Sequence, residues 1–167
     1  MLVGSLFADR DGGPYIGVGY GTSKYNDDSL YESVKSDTSG AFTIYGGAYI
    51  NKYFSVELGY AGFNDYKIDD TTSVNFNSTT VSVLGHYAFF DDMLDFYAKG
   101  GVGSIDASGL SADGFTITYG GGVGLRFTDW LGMKVAYDRY TFEYKSSSSG
   151  NHDMYIDFIY GALEFQF

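Results

Sequence analysis

Histidine and serine are the residues of this chain best suited to acid–base or nucleophilic chemistry, because its 167 residues contain no cysteine. His86 lies on the same strand face as Ser82, four positions further along the chain. Four residues of an extended strand span about 13 Å, so the two side chains cannot share the hydrogen bond that an activated serine requires. We therefore predict that His86 is a hydrogen-bonded interior residue.

The second histidine, His152, lies beside Asp153 and close to the serine run Ser146–Ser149. Serine, histidine and an acid are the components of a hydrolytic site, so catalysis at this loop is one alternative. The run of small polar residues equally predicts an ordinary flexible loop tip. The glycines Gly120–Gly122 do not form a phosphate-binding loop, because no helix follows them.

Charged residues recur on the polar face of segments whose other face is apolar. Acids and bases in a narrow, low-dielectric interior must pair or be hydrated, so we predict a salt-bridge network that closes one half of this interior. A proton or ion relay through the same groups is the alternative. Five of the six, all but Asp138, are predicted within about 13 Å of one end of the fold. The six residues are Glu57, Lys99, Arg126, Lys134, Asp138 and Glu164.

The elements that position these charges are strands, since apolar and polar residues alternate with a period of two along eight segments. This pattern predicts an all-β fold, an eight-stranded antiparallel up-and-down barrel. The predicted strands are Tyr15–Lys24, Ala41–Ile50, Phe54–Phe63, Val74–Phe89, Asp95–Ser104, Phe115–Phe127, Leu131–Phe142 and Tyr155–Phe167.

Long polar loops alternate with short turns along the chain, and this asymmetry is typical of barrels that cross the outer membrane. A soluble barrel would place its apolar residues inside and its polar residues outside. Here the polar faces are rich in glycine, serine and threonine, which suit the narrow bore of an eight-stranded barrel. The sequence therefore predicts a transmembrane barrel. Its polar loops are predicted at Tyr25–Ser39, Asn64–Thr72, Ile105–Gly114 and Glu143–His152, of which Ile105–Gly114 is short.

Charge and hydropathy exclude other classes of protein. The formal net charge of −11 argues against binding to nucleic acid, which needs clustered lysine and arginine. No apolar run approaches the roughly 20 residues of a membrane-spanning helix, so a helical membrane protein is also excluded. We predict neither a cofactor nor a metal centre.

Aromatic residues fall near both ends of the predicted strands, as expected for girdles at the two surfaces of a bilayer. At the long-loop end they are Tyr20, Tyr60, Phe63, Phe115, Tyr140, Phe142 and Tyr155. At the short-turn end they include Phe54, Phe89, Phe127, Trp130, Phe165 and Phe167.

The last predicted strand alternates apolar and polar residues and ends on Phe167. It resembles the carboxyl-terminal signal of bacterial outer-membrane β-barrels, although Ala162 stands where that family tends to have glycine. The chain is thus similar to the outer-membrane β-barrel domain family, which includes OmpA, OmpX and the opacity-type eight-stranded barrels. This resemblance implies a bacterial outer-membrane location and a plugged polar lumen. It also implies contacts with outer-membrane lipid, lipopolysaccharide and the barrel-insertion machinery.

The function implied by the resemblance is non-enzymatic: envelope integrity, or surface interaction and adhesion through acidic extracellular loops that could meet a protein receptor. The loop acids form either a solvated rim or weak cation sites that bridge to lipopolysaccharide phosphates. A lipid-A-modifying enzyme and a narrow channel for small solutes are the alternatives. The candidate loop cation sites are Asp27, Asp28, Asp69 and Asp70.

The first eight residues are apolar but lack a basic segment. They predict either the remnant of a signal peptide or a flexible terminus. Residues 9–167 are predicted to form a single barrel domain, as expected for this length.

Overall fold

The computed structural model of the chain describes residues 12–26, 38–69, 72–90, 92–108, 112–145 and 151–167. These residues form eight β-strands joined in chain order into one closed barrel. In the described ranges no helix is long and apolar enough to cross a membrane. The strands are β1 (Gly13–Asn26), β2 (Thr38–Asn51), β3 (Phe54–Asp69), β4 (Thr72–Phe89), β5 (Leu94–Ser108), β6 (Ala112–Arg126), β7 (Leu131–Lys145) and β8 (Asn151–Gln166).

Every neighbouring pair of strands is antiparallel, and the seam between β1 and β8 closes the barrel. Along that seam the pairing runs from Tyr15 with Gln166 to Asn26 with Tyr155. Closure leaves no strand edge without a partner, which is what a sheet must achieve if it is to lie in lipid. The predicted all-β, eight-stranded antiparallel barrel is therefore confirmed.

All four predicted loops are shorter than expected, because the strands continue through polar sequence. β3 extends to Asp69 and β4 begins at Thr72, and Asp106 of β5 pairs with Asp113 of β6. Interstrand hydrogen bonds involve the backbone and form equally well between polar residues. Polarity in these segments marks where the outer wall meets water, and it does not mark the end of a strand.

The short turns are built from local hydrogen bonds. Between β2 and β3, the backbone N–H groups of Tyr53 and Phe54 donate to Asn51 Oδ1 at 2.8 and 3.0 Å. Between β6 and β7, the backbone N–H of Leu131 donates to Thr128 Oγ1 at 3.0 Å. Asparagine and threonine side chains replace backbone partners in tight turns in this way. We call this end of the barrel the short-turn end and the other the long-loop end.

The alternation of side chains divides each strand between an apolar outer wall and an interior, or lumen. Outer-wall residues such as Ile44, Leu58 and Val81 are 50%, 58% and 58% exposed. Such a continuous apolar exterior would be unstable in water and is stable in lipid. The charged and small polar residues accordingly face the lumen.

The prediction of the second aromatic girdle is wrong for Phe63, Tyr140 and Phe142. These three side chains are buried in the lumen near the long-loop end. Side chains alternate between the two faces of a strand, and these three residues occupy inward-facing positions. They therefore point into the lumen although they lie near the loops. The upper half of the lumen, nearer the long-loop end, is therefore aromatic. Only the lower half, nearer the short-turn end, is strongly polar.

Several predicted features lie outside the described residues. For Asp69 and His152 the backbone is described but the side chain is not. Wholly outside are the terminal segment 1–8, the loop acids Asp27, Asp28 and Asp70, and the serine run 146–149.

Candidate functional site in the barrel lumen

A buried ion network spans the lower half of the lumen, and Lys99 lies near its centre. Its Nζ is 2.6 Å from Asp138 Oδ2 and 3.4 Å from Glu57 Oε1. The side chains of Asp138 and Glu57 are 1% and 2% exposed, so both carboxylates are removed from bulk water. Charges buried to this degree need partners at these distances, and Lys99 serves two carboxylates at once.

Lys134 extends the network towards the short-turn end. Its Nζ lies 3.6 Å from Glu57 Oε2 and 3.4 Å from Glu164 Oε2. The same ammonium is 3.7 Å from the centre of the Tyr45 ring, a cation–π contact. Two lysines from β5 and β7 therefore link three carboxylates from β3, β7 and β8 into one continuous cluster.

Arg126 is the sixth charge that the sequence placed in the lumen. Its guanidinium donates a hydrogen bond to the Gln166 side-chain oxygen, next to the short-turn end of the barrel. Gln166 is the last residue of β8, so this contact ties the end of β6 to the closing seam. Five of the six predicted lumen charges thus share ion pairs, and Arg126 makes this contact below them.

Tyrosine side chains donate further hydrogen bonds to the carboxylates of the network. Tyr15 donates to Glu57 Oε2 at 3.3 Å, and Tyr160 donates to Asp138 Oδ2 at 3.0 Å. Tyr45 donates to Glu164 Oε2 at 3.3 Å. Sequence reasoning placed Tyr15 and Tyr45 on the polar face but did not recognise them as partners of the acids. The sequence does contain a signal for this role, because tyrosine alternates with glycine on the polar face of a strand, as Tyr45 does with Gly47.

The space for these rings comes from glycine on the neighbouring strand. A Cβ atom added to Gly17 would lie 2.1 Å from Tyr45 Cζ, well inside any allowed contact distance. Tyr45 therefore occupies volume that any larger residue at position 17 would need. This exchange of small for large residues across a strand pair fills a bore that is too narrow for two full side chains at one level.

His86 lies in a hydrogen-bonded chain below the ion network. Its Nε2 is 2.9 Å from Ser55 Oγ, and its Nδ1 is 2.8 Å from Asp95 Oδ2. The prediction that His86 is a hydrogen-bonded interior residue is correct, and Ser82 is not among these partners. Sequence reasoning missed Asp95, although its strand parity matches that of Tyr97 and Lys99 and therefore points inward.

The arrangement of Ser55, His86 and Asp95 has the distances of a catalytic triad, with the acid orienting the base and the base next to a hydroxyl. Its surroundings differ from those of a working nucleophile. Ser55 is 0% exposed, and the Tyr15 hydroxyl lies 3.2 Å from its Oγ, where a substrate would have to enter. The geometry therefore fits a structural hydrogen-bond chain from Asp95 to Glu57 through Tyr15.

A small cavity opens at the short-turn end of the lumen. Its volume is about 30 Å³, and His86, Asp95, Tyr97 and Arg126 are among the residues that line it. This volume holds roughly two water molecules. It can hydrate the lower end of the hydrogen-bond chain.

Aromatic side chains fill the upper half of the lumen. The Phe63 ring lies 5.3 Å from that of Tyr140 and 5.7 Å from that of Phe158, both edge to face. Phe76 packs 6.1 Å from Phe142 nearer the loops. At this level the Thr116 hydroxyl bonds to the sheet, where it donates to the Thr141 carbonyl at 3.1 Å. We call these rings the aromatic plug.

The predicted short-turn girdle lies on the outer wall. Phe54, Phe127 and Trp130 are 50%, 60% and 55% exposed. Phe165 is less exposed because it stacks on Trp130, with ring centres 6.2 Å apart and an angle of 18°. Phe89 and Phe167 are 42% and 65% exposed. Together these rings border the apolar wall at the short-turn end.

Comparison with known proteins identifies the family. A family model described as the outer membrane protein beta-barrel domain matches residues 3–167. The chain belongs to this family. No curated protein sequence matches it. As an outer membrane protein beta-barrel domain, it resides in the bacterial outer membrane, with its apolar wall in lipid, its short-turn end at the periplasm and its long loops outside the cell.

Solved structures share the fold of this outer membrane barrel at low sequence identity. Neisserial surface protein A superposes with a TM-score of 0.71 at 13% identity, over 93% of this chain and 97% of that chain. Pseudomonas aeruginosa OprG gives 0.58 at 13% identity, over 93% and 96%. Yersinia pestis Ail in complex with the heparin analogue sucrose octasulfate gives 0.56 at 15% identity, over 93% and 99%.

A metal centre has no support from the described side chains. Among them, no group of three or more histidine, aspartate or glutamate residues is arranged to hold a metal ion. Glu57, Asp138 and Glu164 bond to lysine and tyrosine instead, and Asp95 bonds to His86.

Proposed function

We propose that this outer-membrane barrel is a closed, non-enzymatic protein that contributes to envelope integrity or to surface interaction. The observation that supports this proposal is the filling of the lumen from the ion network below to the aromatic plug above. Side chains packed in this way along the described part of the bore would block the passage of a solute. The surfaces left for function are the outer wall and the extracellular loops.

The loops are the proposed site of surface interaction, with a protein receptor as the expected partner. The chain carries a formal net charge of −11, so we do not extend to it the polyanionic ligand bound by Ail. Barrel insertion through β8 and contact with lipopolysaccharide are proposed on the same basis of family and architecture. Receptor binding by the loops can be tested by transferring the long loops to an unrelated barrel. The recipient barrel should then acquire the adhesion of this protein.

A closed lumen predicts no steady ion conductance. In planar bilayers the purified protein is expected to give no stable single-channel steps, because Lys99, Glu57 and the aromatic plug occupy the bore. A general porin in the same bilayer is the positive control for insertion.

The variants Glu57→Gln and Asp106→Asn make this test specific. Each removes one negative charge, but Glu57 is in the lumen and Asp106 is exposed on the outer wall of β5. Steady steps that change with Glu57→Gln and stay constant with Asp106→Asn would show an open pore, and the closed-barrel proposal would be wrong.

An enzymatic function is the second candidate, and the distances within Ser55, His86 and Asp95 are the observation in its favour. We expect a fluorophosphonate probe to leave Ser55 unmodified in the folded protein, because this residue is fully buried beneath the Tyr15 hydroxyl. Mass spectrometry of the tryptic peptides measures the result. An adduct on Ser55 that disappears in His86→Ala would establish an activated serine and favour the enzyme.

A further inference from the structure

An ion pair lies on the lipid-facing side of the barrel, where the surrounding wall is apolar. Arg139 of β7 pairs directly with Asp157 of β8, and their side chains are 31% and 20% exposed. Among the described side chains of β6, β7 and β8, these two are the charged groups that face outward. Ionisable groups in the apolar region of a membrane are costly, so their retention points to a function.

The height of this pair places it within the apolar band of the membrane. Arg139 is eight residues above the start of β7, a height of about 20 Å for a tilted strand. The apolar band of such barrels is about 25 Å tall. On β6, Ile117 and Phe115 continue beyond this level towards the long-loop end and are 50% and 64% exposed. The pair therefore faces the acyl chains of the outer leaflet.

Both charges are held in fixed positions by their neighbours. Arg139 Nε lies 2.6 Å from Asp157 Oδ1, and Arg139 Nη2 lies 3.0 Å from Asp157 Oδ2. The Tyr137 hydroxyl donates to the same carboxylate at 2.6 Å, and the guanidinium lies 4.3 Å from the centre of the Tyr155 ring. A guanidinium has five N–H donors, and Asp157 accepts from two of its nitrogens. The pair is thus rigid and keeps donors for a second acceptor.

A second copy of the chain would meet this pair at the same height. All copies enter the outer membrane in one orientation, so a symmetric dimer has its two-fold axis along the membrane normal. Such an axis brings together residues at equal heights. Because Arg139 and Asp157 are direct neighbours on β7 and β8, the Arg139 of each copy would face the Asp157 of the other. Each charge would then have two neighbours of opposite sign, in a medium of low dielectric constant that strengthens their attraction.

The wall beneath the pair is complementary to itself in shape. Followed in chain order around the barrel, paired residues climb towards the long loops, since the circuit that leaves β7 at Leu131 returns to it at Thr141. A line straight down the wall from the ion pair therefore moves to earlier strands, from β8 and β7 to β7 and β6. There Tyr137, which is 37% exposed, pairs with Gly121. The same two-fold axis places the Tyr137 ring of each copy over the partner's Gly121, where no side chain is in the way.

We propose that two copies of this chain associate in the outer membrane through the outer walls of β6, β7 and β8. Arg139 and Asp157 form ion pairs across the interface, and Tyr137 packs over the partner's Gly121. This contact shields both charges from lipid, whereas a single barrel leaves them facing it. A patch that carries both signs complements itself, which favours a second copy over a partner of one net charge. The inference is independent of what the loops bind.

Crosslinking between single cysteines tests the interface, because the chain has no cysteine of its own. Val123 is on the outer wall of β6, two residues from Gly121, and Val56 is on β3 at the opposite side of the barrel. Their exposures are matched, at 37% and 39%. With a short bis-maleimide and the purified full chain in lipid vesicles, Val123→Cys is expected to give a crosslinked dimer. Val56→Cys should give only the background of random collisions.

Charge variants in the Val123→Cys background test the ion pair. Arg139→Gln is expected to weaken dimerisation about tenfold, measured as the protein-to-lipid ratio at half-maximal crosslinking. Lys52→Gln removes a cation from an exposed turn and should leave this ratio unchanged. Arg139→Asp and Asp157→Arg should each abolish self-association, because like charges then meet. An equal mixture of these two variants should restore the dimer, which a role confined to one chain does not predict.

Heat-modifiable gel mobility verifies that each variant is folded, and Arg139→Gln keeps the test decisive if a charge reversal prevents folding. The proposal is overturned if Val56→Cys crosslinks as much as Val123→Cys, or if folded Arg139→Gln dimerises as the unsubstituted chain does. Failure of the folded charge-reversal variants to associate when mixed would also overturn it. Crosslinking of Val123→Cys to a different protein in outer-membrane vesicles, without any dimer, would show that another partner occupies this wall.

Discussion

Replacement of Gly21 by alanine is expected to lower the free energy of unfolding of the barrel by about 3 kcal/mol, the upper end for overpacking a well-packed site. A Cβ atom at this position would lie 1.9 Å from the Ile159 carbonyl oxygen and 2.6 Å from the Tyr160 Cα. Both are backbone atoms of β8, so no side-chain rotation relieves the clash. The seam that closes the barrel would have to separate, and its interstrand hydrogen bonds would weaken.

A second glycine of the same seam provides the control. Gly161 pairs with Tyr20 across the seam, and a Cβ atom there would meet nothing within 4 Å. Gly161→Ala should therefore leave stability unchanged or raise it slightly, because the unfolded chain loses freedom. Urea titration of refolding into lipid vesicles, followed by heat-modifiable gel mobility, compares the two. Equal midpoints for both variants would contradict the close approach of β1 and β8.

The fold was predictable because lipid and lumen impose opposite demands on successive residues. The period of two in a strand such as β7, with Met133 and Val135 outside and Lys134 inside, identifies both the element and its faces. The strand ends towards the loops were less predictable. There both faces meet water or polar groups, so β3 and β5 continue without any change of composition that marks their ends.

The contacts inside the lumen depend on register, which the sequence determines less directly. Ser55 lies beside His86 because Ser55 pairs with Leu84. The register of β3 and β4 shifts between Phe63 and Tyr66 and again between Lys67 and Asp69, so the sequence of the connection does not set this pairing. Strand parity placed both residues inside but could not bring them together. The alternation of side chains along β5 is sufficient to predict that Asp95 points into the lumen. Distances between charges such as Lys99 and Asp138 require the staggered register of the closed barrel.

The aromatic plug strengthens the ion pairs of the network beneath it. Rings such as Phe63, Phe158 and Tyr140 exclude water from the space directly above Lys99 and Asp138. A drier surrounding lowers the local dielectric constant, which strengthens both the attraction within each ion pair and the cost of breaking one. The network therefore holds its partners most firmly on the side that faces the plug.

Replacement of Lys99 by methionine is expected to lower the free energy of unfolding by about 3–5 kcal/mol, the cost of removing one partner from a buried ion pair. Methionine fills a similar volume, so the loss comes mainly from the carboxylates of Glu57 and Asp138, which lose a shared cation. The same urea titration in lipid vesicles measures it. Lys52→Met, at an exposed turn, removes the same charge and should change stability little.

A double variant separates the lost ion pair from lost packing. If charge is the cause, Asp138→Asn added to Lys99→Met should recover part of the stability, because one of the two stranded carboxylates becomes neutral and still accepts from the Tyr160 hydroxyl. Asp138→Asn alone should destabilise the barrel, because Lys99 loses its ion pair with Asp138 and keeps only the one with Glu57. Additive losses in the double variant would mean that the two side chains contribute through packing, and the ion network would then not be what holds the lower lumen closed.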